Sequence, residues 1–162
     1  MNLIQECNRL KEERCYLGYK LTDKQLEVIA YNDKENITFE FGGRQTGKST
    51  VVMMKAIKLA TEQADTHVMI NSSNSSSSKY LKERLWDMLL ENGLGHLVHR
   101  TSGDIHFTNN SKISFDYGCT YLRGNRPSDY ALIDDYTYST NTVEMINRFC
   151  NVIHANTVIY VC

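Results

Sequence analysis

One run of the chain carries a clear chemical signal: Gly42-Gly43-Arg44-Gln45-Thr46-Gly47-Lys48-Ser49, which satisfies the spacing G-x-x-x-x-G-K-[ST]. Each residue type in it has a separate physical reason. Glycines let the backbone adopt positive φ and bring N–H groups against the oxygens of an anion. The first turn of a following helix adds the positive end of its dipole. At this spacing the Lys48 ammonium neutralises β- and γ-phosphate oxygens, and the Ser49 hydroxyl is placed to hold Mg²⁺. The segment from Gly42 to Thr50, with Gln45 and Thr46 inside it, is therefore expected to cradle the triphosphate of ATP.

A cation held in this way needs a carboxylate from the end of a neighbouring strand. Ala131-Leu132-Ile133-Asp134-Asp135 is an apolar run that ends in two acids. Asp134 is expected on the magnesium side, and Asp135 where a catalytic carboxylate would polarise the attacking water. The plainer alternative is an exposed strand end with two solvated acids.

These residues can act only if regular elements position them. Ile37 to Phe41 is short, apolar and stopped by glycines, which predicts a buried strand leading into the loop. Lys48 to Glu62 carries Val51, Val52, Met54, Ala56, Ile57 and Ala60 at helical spacing, which predicts a helix leading out of it. Ahead of them, the stretch to Tyr19 reads as a short helix. Thr22 reads as the N-cap of a second helix, with Leu26, Ile29 and Ala30 on its apolar side.

Beyond the loop, His67 to Asn71 is a core strand. The run Asn71 to Ser78 reads as a turn and cap, followed by a helix over about 79–91 with Leu81, Leu85, Met88 and Leu89 on one side. Gly93 and Gly95 end that helix. Alternation at Ile105 and Phe107, then at Ile113, Phe115 and Tyr117, predicts a β-hairpin over 104–118. Tyr130 to Ile133 and Thr157 to Val161 read as further buried strands, with a helix over about 142–150 between them. The order predicts an α/β P-loop NTPase fold: a mainly parallel central sheet with helices on both faces and a β-hairpin insertion. Residues 1–162 form one domain in this reading.

Several features together resemble the N-terminal ATPase domain of the large terminase subunit, the motor that packages DNA in tailed phages and herpesviruses. They are the arginine inside G-G-R-Q-T-G-K-S-T, the segment Tyr121-Leu122-Arg123-Gly124 before the acidic strand, and Gln25 in an L-T-D-K-Q helix. The resemblance runs from about Leu21 to Val161. It implies a Mg²⁺-dependent ATPase powering double-stranded DNA packaging, working with a portal protein and a small terminase subunit, in a ring when assembled. It also implies an unsecreted viral protein in the host cytoplasm.

By the same resemblance, Gln25 reads the adenine edge and Arg44 acts on the γ-phosphate, beside Lys48 and Asp135 as catalytic groups. An exposed helix residue and a loop-surface cation are the plainer alternatives for Gln25 and Arg44. Arg123 and Arg126 would meet DNA or a neighbouring subunit, or simply form a salt bridge. The serine-rich turn falls where related motors approach DNA, or is a solvated cap. Two departures matter. The family has glutamate where this chain has Asp135, whose carboxylate stops about 1.3 Å short. Misplacement on that scale can cost about a hundredfold in rate, so the expectation is either slow hydrolysis or a shifted strand that brings Asp135 to its water. The coupling motif and nuclease domain of terminases have no counterpart in these residues. Two other readings follow: a helicase-like or recombination ATPase, and a nucleotide-binding module of little turnover acting in assembly or regulation.

Composition narrows the rest. A net charge of −1 gives no global field for nucleic acid, although a local basic patch would suffice. Five cysteines at irregular spacing form no zinc pattern and read as reduced thiols. No apolar run approaches the roughly 18 residues that span a bilayer.

Overall fold

The computed structural model describes residues 10, 12–42, 45–117, 128–134 and 155–162. In chain order its elements are β1 (Cys15–Tyr16), β2 (Tyr19–Lys20), α1 (Asp23–Ala30), β3 (Ile37–Phe39), α2 (Lys48–Glu62), β4 (His67–Ser72) and α3 (Ser75–Glu91). After a 3-10 turn at Gly95–Leu97 come β5 (Val98–Arg100), β6 (Asp104–Phe107), β7 (Lys112–Tyr117), β8 (Tyr130–Asp134) and β9 (Thr157–Val161).

Seven strands form one sheet in the order β3-β9-β8-β4-β7-β6-β5. The run β3-β9-β8-β4-β7 is parallel throughout, and β6 and β5 add antiparallel pairs at one edge. Parallel strands are covered on both faces, so they read as continuous apolar runs, as β8 and β9 do here. Alternate side chains feed two cores. Val68, Ile70, Leu132, Ile159 and Val161 join the cluster shared with α1, α2 and α3. Met69, Ala131, Ile133, Val158 and Tyr160 form a second cluster. The helix expected over about 142–150 lies outside the described residues.

Helix α2 has the bounds expected of it. Every residue from Val51 to Ala60 is buried, so this is a helix enclosed nearly all round rather than one with a single apolar face. Two lysines, Lys55 and Lys58, are among those buried residues.

Three expectations are corrected. Cys15 to Lys20 is a hairpin, not the end of a helix. Leu17 and Gly18 form its two-residue turn with φ of 46° and 79°, the positive pair that a tight hairpin requires. The left-handed conformation costs Leu17 about 1–2 kcal/mol, which burial of its side chain in the core offsets. Secondly, the serine run is not a turn preceding a helix that begins near residue 79. Asn74 caps α3, its side chain accepting from Ser77 N at 2.8 Å, so the serines form the first helical turn. First-turn N–H groups have no intrahelical acceptor, which is why short hydroxyl residues are tolerated there. Thirdly, the hairpin insertion carries an extra strand, β5, whose three residues pair with β6 through the backbone.

Candidate active site

Strand order decides which residues meet. The loop from Gly42 onward leaves β3, and Asp134 ends β8, with only β9 between those strands. Two strand spacings amount to about 10 Å. Helix α2 starts in that gap and closes it: Ser49 Oγ donates to Asp134 Oδ2 at 2.8 Å, across 85 residues of sequence. Asp134 is 4% exposed, which overturns the alternative of a solvated strand end for this acid. Hydrogen bonds from Phe41 N to Cys162 O (2.6 Å) and from Cys162 N to Phe39 O (3.0 Å) prolong the β3–β9 ladder to the start of the loop.

Among the described loop residues, positive φ falls at two glycines and at one residue the sequence did not mark for it, Gln45. Gly42, Gln45 and Gly47 have φ of 67°, 60° and 79°. Gly47 is the N-cap of α2, and its carbonyl accepts from Val51 N at 3.0 Å. Thr46 Oγ1 donates to Gly42 O at 3.4 Å. Lys48 begins α2, and its charge reaches the Cys162 thiol at the end of β9. Burial raises that thiol's pKa, Glu40 adds to the rise, and Lys48 opposes both. Lys48, Ser49 and Thr50 are half-buried at the helix start. Gly43, Arg44 and Asp135 lie outside the described residues, as do Arg123 and Arg126.

Gln25 is only 8% exposed, so it is not a free surface residue of its helix. Its Oε1 accepts from Thr22 N at 3.0 Å, while Gln25 N donates to Thr22 Oγ1 at 3.3 Å, a capping box. Its Nε2 donates to Gly47 O at 3.3 Å. Both ends of the carboxamide are engaged, one in holding α1 and one in bracing the loop. The T-x-x-Q spacing was the signal for the capping box. The apolar side of α1 is also shifted: Val28 and Ile29 are buried, Leu26 is half-buried and Ala30 is exposed.

Beside the Ser49–Asp134 pair opens a cavity of about 300 Å³, lined by Ser72, Ser73, Ser76, Ser77 and Tyr80. Tyr80 is 62% exposed at its rim. The sequence reading missed these hydroxyls as site neighbours, because it placed Ser76 and Ser77 in a turn rather than at the head of α3 and did not bring the end of β4, with Ser72, beside them.

A hydroxyl and a carboxylate at 2.8 Å form the kind of hard-oxygen pair that Mg²⁺ takes together with water and phosphate oxygens. Ser49 and Asp134 therefore fit that ion. The parallel sheet, the glycine loop and the helix it opens define the α/β P-loop class.

Solved structures of similar fold include large terminase proteins of phages. The large terminase ATPase domain of Thermus phage P74-26 superposes with a TM-score of 0.63 at 16% identity, covering 90% of this chain and 66% of that one. An arginine-to-alanine variant of that domain gives 0.64 at 15% identity, with the same coverage. The large terminase of bacteriophage HK97 gives 0.65 at 13% identity, over 89% of this chain and 33% of that one. The chain thus spans just under two thirds of the P74-26 domain and one third of the HK97 protein. No protein-family model and no curated protein matches it.

Proposed function

We infer that this chain binds ATP with Mg²⁺ and hydrolyses it, and that this turnover serves to drive double-stranded DNA into a viral capsid. The observation that carries the reading is the bond from Ser49 to Asp134, made at the mouth of a glycine loop that opens a helix. Likeness to terminase folds over 90% of the chain supports the DNA-packaging half.

In this reading the N–H groups at the head of α2 bind the triphosphate oxygens, and Lys48 neutralises their charge. Ser49 and Asp134 would hold Mg²⁺, which supplies further charge neutralisation when bound. Asp135 follows the last residue of β8 and orients the attacking water, and Arg44 in the loop stabilises charge on the transferring phosphoryl group. Gln25 keeps Gly47 in place, and with it the loop. Double-stranded DNA, a portal protein, a small terminase subunit and further copies of the chain in a ring are the partners proposed.

Calorimetric titration of purified protein with ATP and Mg²⁺ tests the first half. Wild type is expected to bind and Lys48→Ala to lose binding; equal affinity in both sinks the reading. Phosphate release then separates a motor from a binding module. Slow release in wild type that rises in Asp135→Glu supports a catalytic carboxylate at this position, whereas no release from either points to the module.

A further inference from the structure

Helix α2 holds a second buried polar contact, built on a lysine that no phosphate-binding role uses. Lys55 lies on α2 and is fully buried, with 0% exposure. Its Nζ donates to Ile29 O at 3.0 Å and also to Tyr31 O, both at the C-terminal end of α1. Tyr31 is the C-cap of that helix. Final carbonyls of a helix have no intrahelical donor, and the negative end of the dipole favours a cation there. The ammonium thus satisfies acceptors that burial would otherwise leave costly.

The same two helices are joined once more, at their other ends, by Gln25 Nε2 and Gly47 O. From Gly47 to Lys55 is about 12 Å of helix, and from Gln25 to Tyr31 about 9 Å, at 1.5 Å per residue. Helix α1 therefore runs alongside the first turns of α2 and is pinned at both ends.

We propose that Lys55 is a positioning residue of the nucleotide site, acting through α1 and Gln25 to hold the Gly47 turn in its phosphate-binding geometry. The proposal rests on the ATP-binding reading above for its consequence, though not for its geometry. A buried lysine is costly, and burial first, then the neighbouring Lys58 charge, lowers its pKa to about 7, against the opposing pull of Glu62. A methionine or leucine would fill the same space without that cost. What the ammonium adds is a directional tie between two helices.

The test uses Lys55→Met, which keeps an unbranched apolar stem, and Lys55→Gln, which keeps a neutral donor. Amide hydrogen exchange is measured on the nucleotide-free protein at Gln25 and at Val51, whose N–H donates to Gly47 O. ATP affinity is measured with Mg²⁺. In Lys55→Met, exchange at Val51 is expected to rise severalfold, and ATP affinity to fall roughly tenfold, the equivalent of about 1.4 kcal/mol. Lys55→Gln should fall between Met and wild type. Combining Lys55→Met with Gln25→Ala should weaken binding no further than the worse single change, because both pins act through one helix. Unchanged loop exchange in Lys55→Met overturns the proposal, as do fully additive losses. If Lys55→Met does not fold, the comparison of Lys55→Gln with wild type decides by the same exchange readout. A wild type that binds no ATP defeats the functional reading alone, since loop exchange without nucleotide still decides whether Lys55 positions the turn.

Discussion

Gly47→Ala tests the site geometry most directly, because two independent features of the structure fix its cost. Gly47 has φ +79°, a left-handed conformation that costs an L-residue about 1–2 kcal/mol. A Cβ built there falls 2.3 Å from Gln25 Nε2, so the carboxamide must move. Moving it gives up the bond to Gly47 O and strains the one to Thr22 N, each worth about 0.5–1.5 kcal/mol.

Together these give a loss of about 2–5 kcal/mol, or roughly 4–20 °C in melting temperature for a domain of this size. The assay is thermal unfolding followed by circular dichroism. Only the steric part depends on Gln25. In a Gln25→Ala background, Gly47→Ala should therefore cost only the backbone strain, about 1–2 kcal/mol. An unchanged cost in that background would refute the contact between α1 and the loop. A Gly47→Ala protein that melts like wild type would refute the left-handed turn itself.

Asp134→Asn keeps the shape at the end of β8 and removes the charge. It is expected to weaken the Mg²⁺ dependence of nucleotide binding by at least tenfold, about 1.4 kcal/mol, measured by titrating Mg²⁺ at fixed ATP; an unchanged Mg²⁺ midpoint would count against the Ser49–Asp134 pair. Lys55 makes stability depend on pH. Its folded pKa is about 7, against 10.5 for the ordinary value. Below pH 7 both states hold the proton and the burial penalty is full; from 7 to 10.5 the unfolded chain binds more protons, so stability rises with pH, by up to about 1.4 kcal/mol per unit. Urea unfolding at pH 6, 7.5 and 9 should show Lys55→Met lacking that rise; a constant difference from wild type across pH 7.5 to 9 would contradict it. Asn74→Ala removes the N-cap of α3 and should cost about 1 kcal/mol in urea unfolding, whereas no loss would mean that the helix starts further along the chain.

The sequence by itself determined the features that depend on near neighbours along the chain. The loop, the full extent of α2, the β6–β7 hairpin and the strands β8 and β9 are all legible there. Glycine placement, helical spacing and strand alternation act within a few residues, and a single chain displays them without any partner. The short hairpin at Cys15–Lys20 and the early start of α3 were also local, but their signals were weak: Leu17 in a positive-φ turn, and one asparagine ahead of a serine run.

Only the tertiary structure decided how distant parts meet. The insertion of β9 between β3 and β8 sets the gap that Ser49 bridges to Asp134. No spacing along the chain states that order. Burial is likewise a property of what packs around a residue. Lys55 looks like a surface lysine in an amphipathic pattern until α1 is laid against it, and Gln25 looks exposed until the loop takes its amide. Hydrogen bonds between helices become visible only when the fold has brought donor and acceptor together, because their energy depends on distance in space and on exclusion of water, not on separation in sequence.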